Sequence, residues 1–317
     1  GHHQESLEKS LLGLELARRV DNPRAVLVLQ FWTIANQLAT GDLQGAKPHL
    51  ADMRDLAERL RDRSWLAGAF YLSARASIYE GDWEAARHFS NQGLAVLSMD
   101  CRCLAAHMQL EFELGEFDQS DAYLERLLDA MRRTPPGPKV EYLIPALGIP
   151  LAARASGADR HFEVAEAAAD AVLTAPNSPT LFVWGARAGL GFLAVLRGDS
   201  LAAADHYASL TPSRGTALAP ISVVFDRILG LLAQTMSSPD LAAEHFEDAL
   251  AFCRKAGYRP ELAWTCCDYA DMLKERNAEG DRAKAVTLLD ESLAISSELG
   301  MQPLMERVLS RREILKA

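Results

Sequence analysis

The chain has 317 residues, of which 49% are hydrophobic, so it is long enough for two ordinary domains or one elongated repeat array. Its formal net charge of −10 opposes binding to the phosphates of nucleic acids or to an anionic membrane surface. No apolar run of about 18 residues indicates a membrane span, so we expect no direct nucleic acid partner and no membrane.

Short breaks in the helical pattern recur along the chain. In chain order they lie at Gly41, Gly81, Gly115, Gly157, Gly198, Ser238 and Gly280, and Gly1 fits the same series. The intervals from Gly41 onwards are 40, 34, 42, 41, 40 and 42 residues. A fixed period of this size is typical of helical repeat proteins.

A second signal lies five residues after each break, where seven of eight residues are small. These positions are Ser6, Ala46, Ala86, Ser120, Phe162, Ala203, Ala243 and Ala285. A small residue at one place in every unit allows two helices to approach closely. Phe162 is the exception, so we expect the unit at Gly157 to be distorted.

The stretch YEGDWEAARHF, residues 79–89, shows how one unit turns into the next helix. Gly81 is expected to adopt the left-handed conformation that ends a helix, and Asp82 to cap the helix that follows. Trp83 then begins a new apolar face. Each unit therefore contains two helices, and the sequence predicts an all-α, right-handed superhelical solenoid of about eight helical hairpins.

Proline-rich stretches mark the connections between units. Residues 132–139 form the clearest, and they divide the array into N-terminal repeats at 1–134 and C-terminal repeats at 135–317 within one continuous solenoid. Residues 175–180, 211–220 and 257–260 are predicted to be further inter-repeat loops. Pro303 is expected near the start of a terminal capping helix.

The units resemble tetratricopeptide repeats, best in YEGDWEAARHFSNQGLAVL and NAEGDRAKAVTLLDESLAI. The stretch TLLDESLAISSELGMQPLMERVL is similar to the C-terminal helical-repeat regions of large bacterial signal-transduction ATPase regulators. Those proteins often carry a LuxR-type DNA-binding module or a nucleotide cyclase. The resemblance implies a sensor or interaction arm of a longer protein in signal transduction or transcription regulation, because this chain has no GxxxxGK[ST] loop of its own.

Long polar side chains recur on the otherwise apolar first helices, which line the concave face in such arrays. The candidate groove residues are Tyr71, Arg75, Arg102, Gln109, Arg154, Arg187 and Arg227. Arginine recognises carboxylates with two parallel hydrogen bonds, so we expect a protein or peptide partner, such as an acidic segment, or a neighbouring domain of a larger chain. In the alternative interpretation, these arginines pair with acidic residues of neighbouring helices.

Soft metal ligands are present but do not form a convincing set. Cys101, Cys103 and His107 lie within seven residues, yet no fourth ligand follows at zinc spacing. The odd count of five cysteines does not indicate a disulfide framework, and it favours the reducing cytoplasm. We expect no metal and no cofactor.

The sequence contains no catalytic motif such as G-x-S-x-G or H-E-x-x-H. The predicted function is therefore a non-catalytic, protein- or ligand-binding sensor arm. Two alternatives stay open, a stand-alone peptide-binding receptor and an oligomeric assembly scaffold.

Overall fold

The computed structural model describes residues 2–157 and 159–316, with side chains described for 3–157 and 159–314. It confirms the all-α prediction, since the described residues form sixteen α-helices and one short two-stranded hairpin. The predicted unit start at Gly1 lies outside the described residues. The helices are α1 (His2–Arg19), α2 (Pro23–Thr40), α3 (Leu43–Arg59), α4 (Arg63–Glu80), α5 (Trp83–Val96), α6 (Cys101–Leu114), α7 (Phe117–Arg132), α8 (Val140–Ser156), α9 (Phe162–Leu173), α10 (Thr180–Arg197), α11 (Ser200–Leu210), α12 (Phe225–Thr235), α13 (Pro239–Ala256), α14 (Arg259–Arg276), α15 (Asp281–Leu299) and α16 (Gln302–Lys316).

The turn between α4 and α5 has the predicted geometry. Gly81 ends α4 with a φ of 80°, and the backbone amide of Asp82 donates to the carbonyl of Ser77 at 2.9 Å. The carboxylate of Asp82 accepts from the amide of Ala85 at 3.0 Å and so caps α5. A Cβ at position 81 would lie 2.7 Å from the Leu299 side chain, so both the positive φ and the close packing require glycine.

Two of the predicted breaks lie one or a few residues away from the turn itself. The positive-φ residue after α12 is Ser237 rather than Ser238, and Asn277 rather than Gly280 ends α14. The small residue five positions after Ser237 is Ala242, which is fully buried, whereas the predicted Ala243 is only half-buried. The single-residue shift matters because it rotates every assigned position by about 100° around the helix.

The unit at Gly157 is irregular, as the sequence predicted. His161 has a φ of 67° directly before α9, and the half-buried Phe162 begins that helix. Ala165 occupies the close-packed place instead, with 1% of its surface exposed. At the other end of the series Ser6 is exposed, and its hydroxyl accepts from the amide nitrogen of Asn36 in α2 at 2.9 Å.

The even-numbered helices form a continuous inner row. Each contacts the next even-numbered helix, from α2 and α4 through to α14 and α16, while the odd-numbered helices pack against their sequence neighbours. Helices distant in sequence also meet, because α4 contacts α14, and α6 contacts α16. The inner row therefore curves back on itself, so that its C-terminal helices contact α4 and α6.

Aromatic side chains hold these distant parts together. Tyr79 stacks on Tyr258 with ring centroids 3.8 Å apart, and the indole nitrogen of Trp83 donates to the carbonyl of Leu299 at 2.7 Å. One hydrophobic cluster extends from Leu27 to Val308. The ranges 1–134 and 135–317 thus share a common core.

Residues 211–224, which we call the inner segment, connect α11 and α12, where an inter-repeat loop was predicted at 211–220. The segment is more ordered than a simple loop, because strands β1 (Ala217–Leu218) and β2 (Val223–Val224) pair antiparallel and all four strand residues are buried. The segment contacts α2, α6 and α8 of the inner row. Its apolar sequence explains the burial, since these side chains fill the space that the curved row encloses.

By length and hydropathy, α10 is the one described helix that could cross a membrane. Of that stretch, 44% is buried within the protein, a pattern that core helices also show.

Candidate functional site

Four charged side chains from four inner-row helices meet at one end of the interior. Arg154 of α8, Arg227 of α12 and Arg307 of α16 surround Asp268 of α14. Their nearest nitrogens lie 2.6, 3.4 and 3.6 Å from its carboxylate oxygens. We call these residues the charge cluster.

The charge cluster contains more positive than negative charge. Burial alone would raise the pKa of Asp268, but attraction by three guanidinium groups outweighs it and holds that pKa below its usual range. Arg227 has a second partner, since its Nε lies 3.0 Å from a carboxylate oxygen of Glu261. The Nε groups of Arg154 and Arg307 are buried and donate to no acceptor among the described residues. The cluster therefore retains donors for a further acceptor.

An open groove of about 410 Å³ lies directly over the charge cluster. Arg154, Asp268 and Arg307 line it, together with the acidic Asp271 and Glu275. The three acidic residues are spaced at i, i+3 and i+7 on α14, which places them on one face of that helix. The groove thus offers guanidinium donors beside exposed and half-buried carboxylates, and its size matches that of small-ligand sites.

A second, enclosed cavity of about 20 Å³ lies deeper in the interior. Arg154 and Arg227 line it, and so do Glu113, Glu261 and Trp264. The indole nitrogen of Trp264 donates to Glu113 at 2.8 Å, and the backbone amide of Val224 donates to Glu261 at 2.8 Å. Because Arg154 lines both spaces, it connects the open groove with the enclosed cavity.

Both glutamates of the enclosed cavity are hard to ionise. Burial raises the pKa of Glu113 to about 7, against the hydrogen bond from Trp264, which lowers it. Burial raises the pKa of Glu261 to about 8, although the neighbouring Arg227 acts in the opposite direction. These carboxyl groups hold protons at a pH where exposed glutamates are ionised.

The raised pKa values predict that the free energy of unfolding decreases as the pH increases above 4.5. Folded-state pKa values above the ordinary value of 4.5 mean that the native protein binds more protons than the unfolded chain, up to about pH 7 for Glu113 and pH 8 for Glu261. Each group contributes a loss of at most about 1.4 kcal/mol per pH unit within its window. Urea unfolding between pH 5 and 8 measures this, and Glu113→Gln should flatten the curve below pH 7. An unchanged slope in that variant would contradict the assignment.

The predicted groove residues separate into different places. Arg154 and Arg227 belong to the charge cluster. Arg75 is fully buried and donates to the side-chain oxygen of Gln109, which lines the enclosed cavity together with Arg154 and Arg227. The amide nitrogen of Gln109 donates to the carbonyl of Ile221 at 2.9 Å. Tyr71 lies beside Arg75, with the guanidinium 5.5 Å from the ring centroid.

Two of the predicted arginines have acidic partners near the surface. Arg102 bonds to Asp100 at 2.6 Å and lies 6.0 Å from the ring centroid of Tyr71. Arg187 is separate from the other candidates and pairs with Asp205 at 2.5 Å. Its side chain is 31% exposed. Arg187 lies eleven residues before the turn at Gly198, and this offset sets the face of α10 on which it lies.

Arg227, by contrast, lies ten residues before the turn at Ser237, and its side chain is 2% exposed. The different offset places Arg187 and Arg227 on different faces of their helices. Counted from Ser238, the break predicted from the sequence, Arg227 would have the same offset of eleven residues as Arg187. The turn geometry is therefore needed to see which arginine faces the interior.

Sequence reasoning did not select Asp268, Arg307, Glu113 or Glu261. A usable signal existed in α14, where Asp268 interrupts the apolar run WTCCDYADML. A charged residue on the buried face of a helix indicates a paired or functional group. Their convergence depends on the contacts between distant helices, which the local pattern does not encode.

The soft-ligand group of the sequence is dispersed. Cys103 donates to the carbonyl of Ala67 at 3.7 Å, and His107 stacks on Tyr123 with ring centroids 4.4 Å apart. All five cysteines are free and buried, and burial raises the pKa of each thiol. They therefore occupy packing positions.

A different group, Asp226, His245 and Asp248, has metal-ligand spacing. The guanidinium of Arg214 lies 3.7 Å from Asp226 and 2.8 Å from Asp248, so positive charge already lies beside these carboxylates. The Tyr207 hydroxyl lies 2.9 Å from His245 and completes a hydrogen-bonded chain. These contacts stabilise the interface of α11, α12 and α13.

Comparison with protein-family models and with curated protein sequences finds no match to this chain.

Proposed function

We propose that the chain is a non-catalytic binding module, a solenoid of tetratricopeptide-like hairpins wound into a right-handed superhelix. Seven hairpins, from α2–α3 to α14–α15, account for the inner row, with α1 and α16 at the ends. The continuous contacts between even-numbered helices support this arrangement. In such an array the inner helices form the binding surface, and the outer, odd-numbered helices support them.

The observation that carries the proposal is the open groove above the charge cluster. Five inner-row helices contribute to it, and two of its guanidinium groups, those of Arg154 and Arg307, lie against the buried carboxylate of Asp268. Asp271, which pairs with Arg307 at 3.2 Å, and Glu275 form its acidic side. The buried Nε groups of Arg154 and Arg307 are donors in need of an acceptor. The ligand class that fits is a carboxylate-bearing segment, such as a short acidic peptide.

A binding role fits this site better than catalysis. The open groove is lined by two arginines, which remain charged and do not exchange protons at neutral pH, and by three acidic residues, of which Asp268 has a pKa held below its usual range. The carboxyl groups with raised pKa values line the enclosed cavity of about 20 Å³, which has room for about one water molecule rather than a substrate. The carboxyl groups that could exchange protons near neutral pH thus lie in the enclosed cavity, whereas the space large enough for a substrate is the open groove.

Binding at the groove also provides a means of signalling. The charge cluster joins α8, α12, α14 and α16, so a ligand that contacts several of them stabilises one curvature of the inner row over others. A module with this property serves as a sensor arm in a bacterial regulatory protein, its output being the position of a neighbouring domain. A stand-alone receptor would use the same site, and the upstream reading frame distinguishes the two.

Titration calorimetry with the peptide triglutamate tests the proposal. We expect saturable binding of triglutamate and none of trialanine, since the backbone alone lacks the carboxylates. Replacing Arg307 by methionine removes one groove guanidinium and should weaken binding at least about tenfold, equal to about 1.4 kcal/mol.

Arg312→Met is the matched control. Arg312 lies on the same helix, and its partner is Asp290 at 2.9 Å, away from the groove. This variant should bind triglutamate as the unmodified protein does, and circular dichroism should show both variants folded. Equal affinities for both variants, or no binding of triglutamate at all, would exclude the groove as an acidic-ligand site.

A further inference from the structure

The guanidinium of Arg75 is buried without a compensating charge. The residue is fully buried in α4, and its hydrogen-bonding neighbours, the side chain of Gln109 and the hydroxyl of Tyr71, are both neutral. Its Nε and one Nη are buried without a hydrogen-bond partner, and it forms no ion pair with a carboxylate of the described residues. Burial lowers the pKa of Arg75, yet guanidinium groups remain protonated in proteins.

The groups around Arg75 supply further donors rather than acceptors. Tyr71 and Tyr79 lie one helical turn before and after it, and burial raises the pKa of both, so neither is an anion. The hydroxyl of Tyr79 and that of Ser222 are buried and unpartnered. The acceptor and donor ends of the Gln109 amide are both used, towards Arg75 and Ile221.

Two of these donors, Tyr79 and Ser222, line the enclosed cavity, and Gln109 separates it from Arg75. Arg154 and Arg227 also line it, as do Glu113 and Glu261, whose raised pKa values of about 7 and about 8 keep both carboxyl groups mainly protonated below pH 7. Its volume of about 20 Å³ admits a single water molecule or an ion of similar radius, and it excludes sulfate, phosphate and organic carboxylates. A water molecule would satisfy hydrogen bonds, but it would leave the charge of Arg75 uncompensated.

We propose that this cavity binds one halide-sized anion, chloride under ordinary conditions. The hydroxyl groups of Tyr79 and Ser222 donate to the ion, and Arg75, behind Gln109, supplies the opposite charge. Tyr79 belongs to α4, Gln109 to α6 and Ser222 to the inner segment. The bound anion therefore fastens the inner segment to the inner row, and native stability depends on its concentration. The inference does not rest on acidic-peptide binding at the open groove.

Two measurements on the full chain test the proposal. Thermal unfolding at constant ionic strength, with sodium gluconate exchanged for sodium chloride, should show a saturating increase in Tm. A crystal soaked in sodium bromide should show an anomalous peak in the cavity lined by Tyr79 and Ser222.

Variants that remove one donor hydroxyl separate specific binding from a general salt effect. Tyr79→Phe and Ser222→Gly should each raise the chloride midpoint by about threefold or more, since each loses a hydrogen bond to the ion; glycine also suits the φ of 54° at position 222. Ser213→Ala is the control, because Ser213 has a buried, unpartnered hydroxyl that does not line the cavity.

The unmodified protein decides the outcome even if a variant fails to fold. No anomalous bromide peak in the cavity, or a Tm that is the same in gluconate and chloride, would overturn the proposal in favour of a bound water molecule.

Discussion

Replacing Asp268 by asparagine should lower the free energy of unfolding by about 3–5 kcal/mol, because it leaves buried guanidinium groups without their shared carboxylate. Arg154 and Arg227 have side chains that are 11% and 2% exposed, so water cannot substitute for the lost partner. Asparagine preserves the size of the side chain, which isolates the change in charge. Urea denaturation followed by circular dichroism measures the difference.

Asp290→Asn is the matched comparison for this substitution. Its carboxylate is 52% exposed and pairs with Arg312 on the surface, and such pairs contribute about 0–1 kcal/mol. If the two variants proved equally stable, Asp268 would not be the centre of a buried charge cluster. That result would also remove the basis for a binding site over it.

Truncating Leu218 to alanine should cost about 2–5 kcal/mol, the range for a buried leucine whose removal leaves a cavity. Leu218 lies in β1 of the inner segment and is fully buried between elements from both parts of the chain. The expected loss is that of a core residue, although the sequence around it reads as a loop. Thermal and urea unfolding of the variant measure it.

Leu201→Ala provides the same chemical change at an exposed position. Leu201 is 86% exposed on α11, so its truncation should change stability by no more than about 0.5 kcal/mol. A small effect at Leu218 would show that the inner segment is a detachable loop. The inner row would then be open, with its binding surface far larger than the groove.

Local features of the fold were predictable because they depend on nearby residues. Gly81 and Asp82 specify a helix end and a helix start through backbone conformation and one hydrogen bond, and both work as predicted. Where the sequence marked a helix end less clearly, the turn lies at a different residue from the predicted one. Ser237 adopts a positive φ one residue before the predicted break at Ser238, in a stretch without glycine. Asn277 ends α14 three residues before the predicted break at Gly280, which also has a positive φ.

The burial of the inner segment could not be predicted from local sequence, because it depends on contacts with helices that are distant along the chain. Pro212 and Pro220 correctly indicated that no long helix crosses this stretch. Whether an apolar connection lies on the surface or inside depends on how far the inner row curves. That curvature results from many helix crossings, to which each unit contributes a small rotation.

In the candidate site, too, local features were predictable from the sequence and contacts between distant helices were not. The sequence selected Arg154 and Arg227 as long polar groups on apolar helices, and the structure brings them together. It could not show that Asp268 is their common partner, because α14 meets α8 and α12 only through the folded array. The pairing alternative describes the contact of Arg187 with Asp205 of α11, and also those of Arg154 and Arg227 with Asp268 of α14. Arg102 instead pairs with Asp100 at the start of its own helix, and Arg75 has no acidic partner in the described structure.

Hydrogen exchange with and without triglutamate tests the central claim most directly, since it locates the bound surface on the full chain. We predict slower exchange at the C-terminal ends of α8, α12 and α14 and in α16, with α1 to α3 unchanged. Protection confined to α1 to α3 or to the odd-numbered outer helices would contradict a binding surface on the inner row.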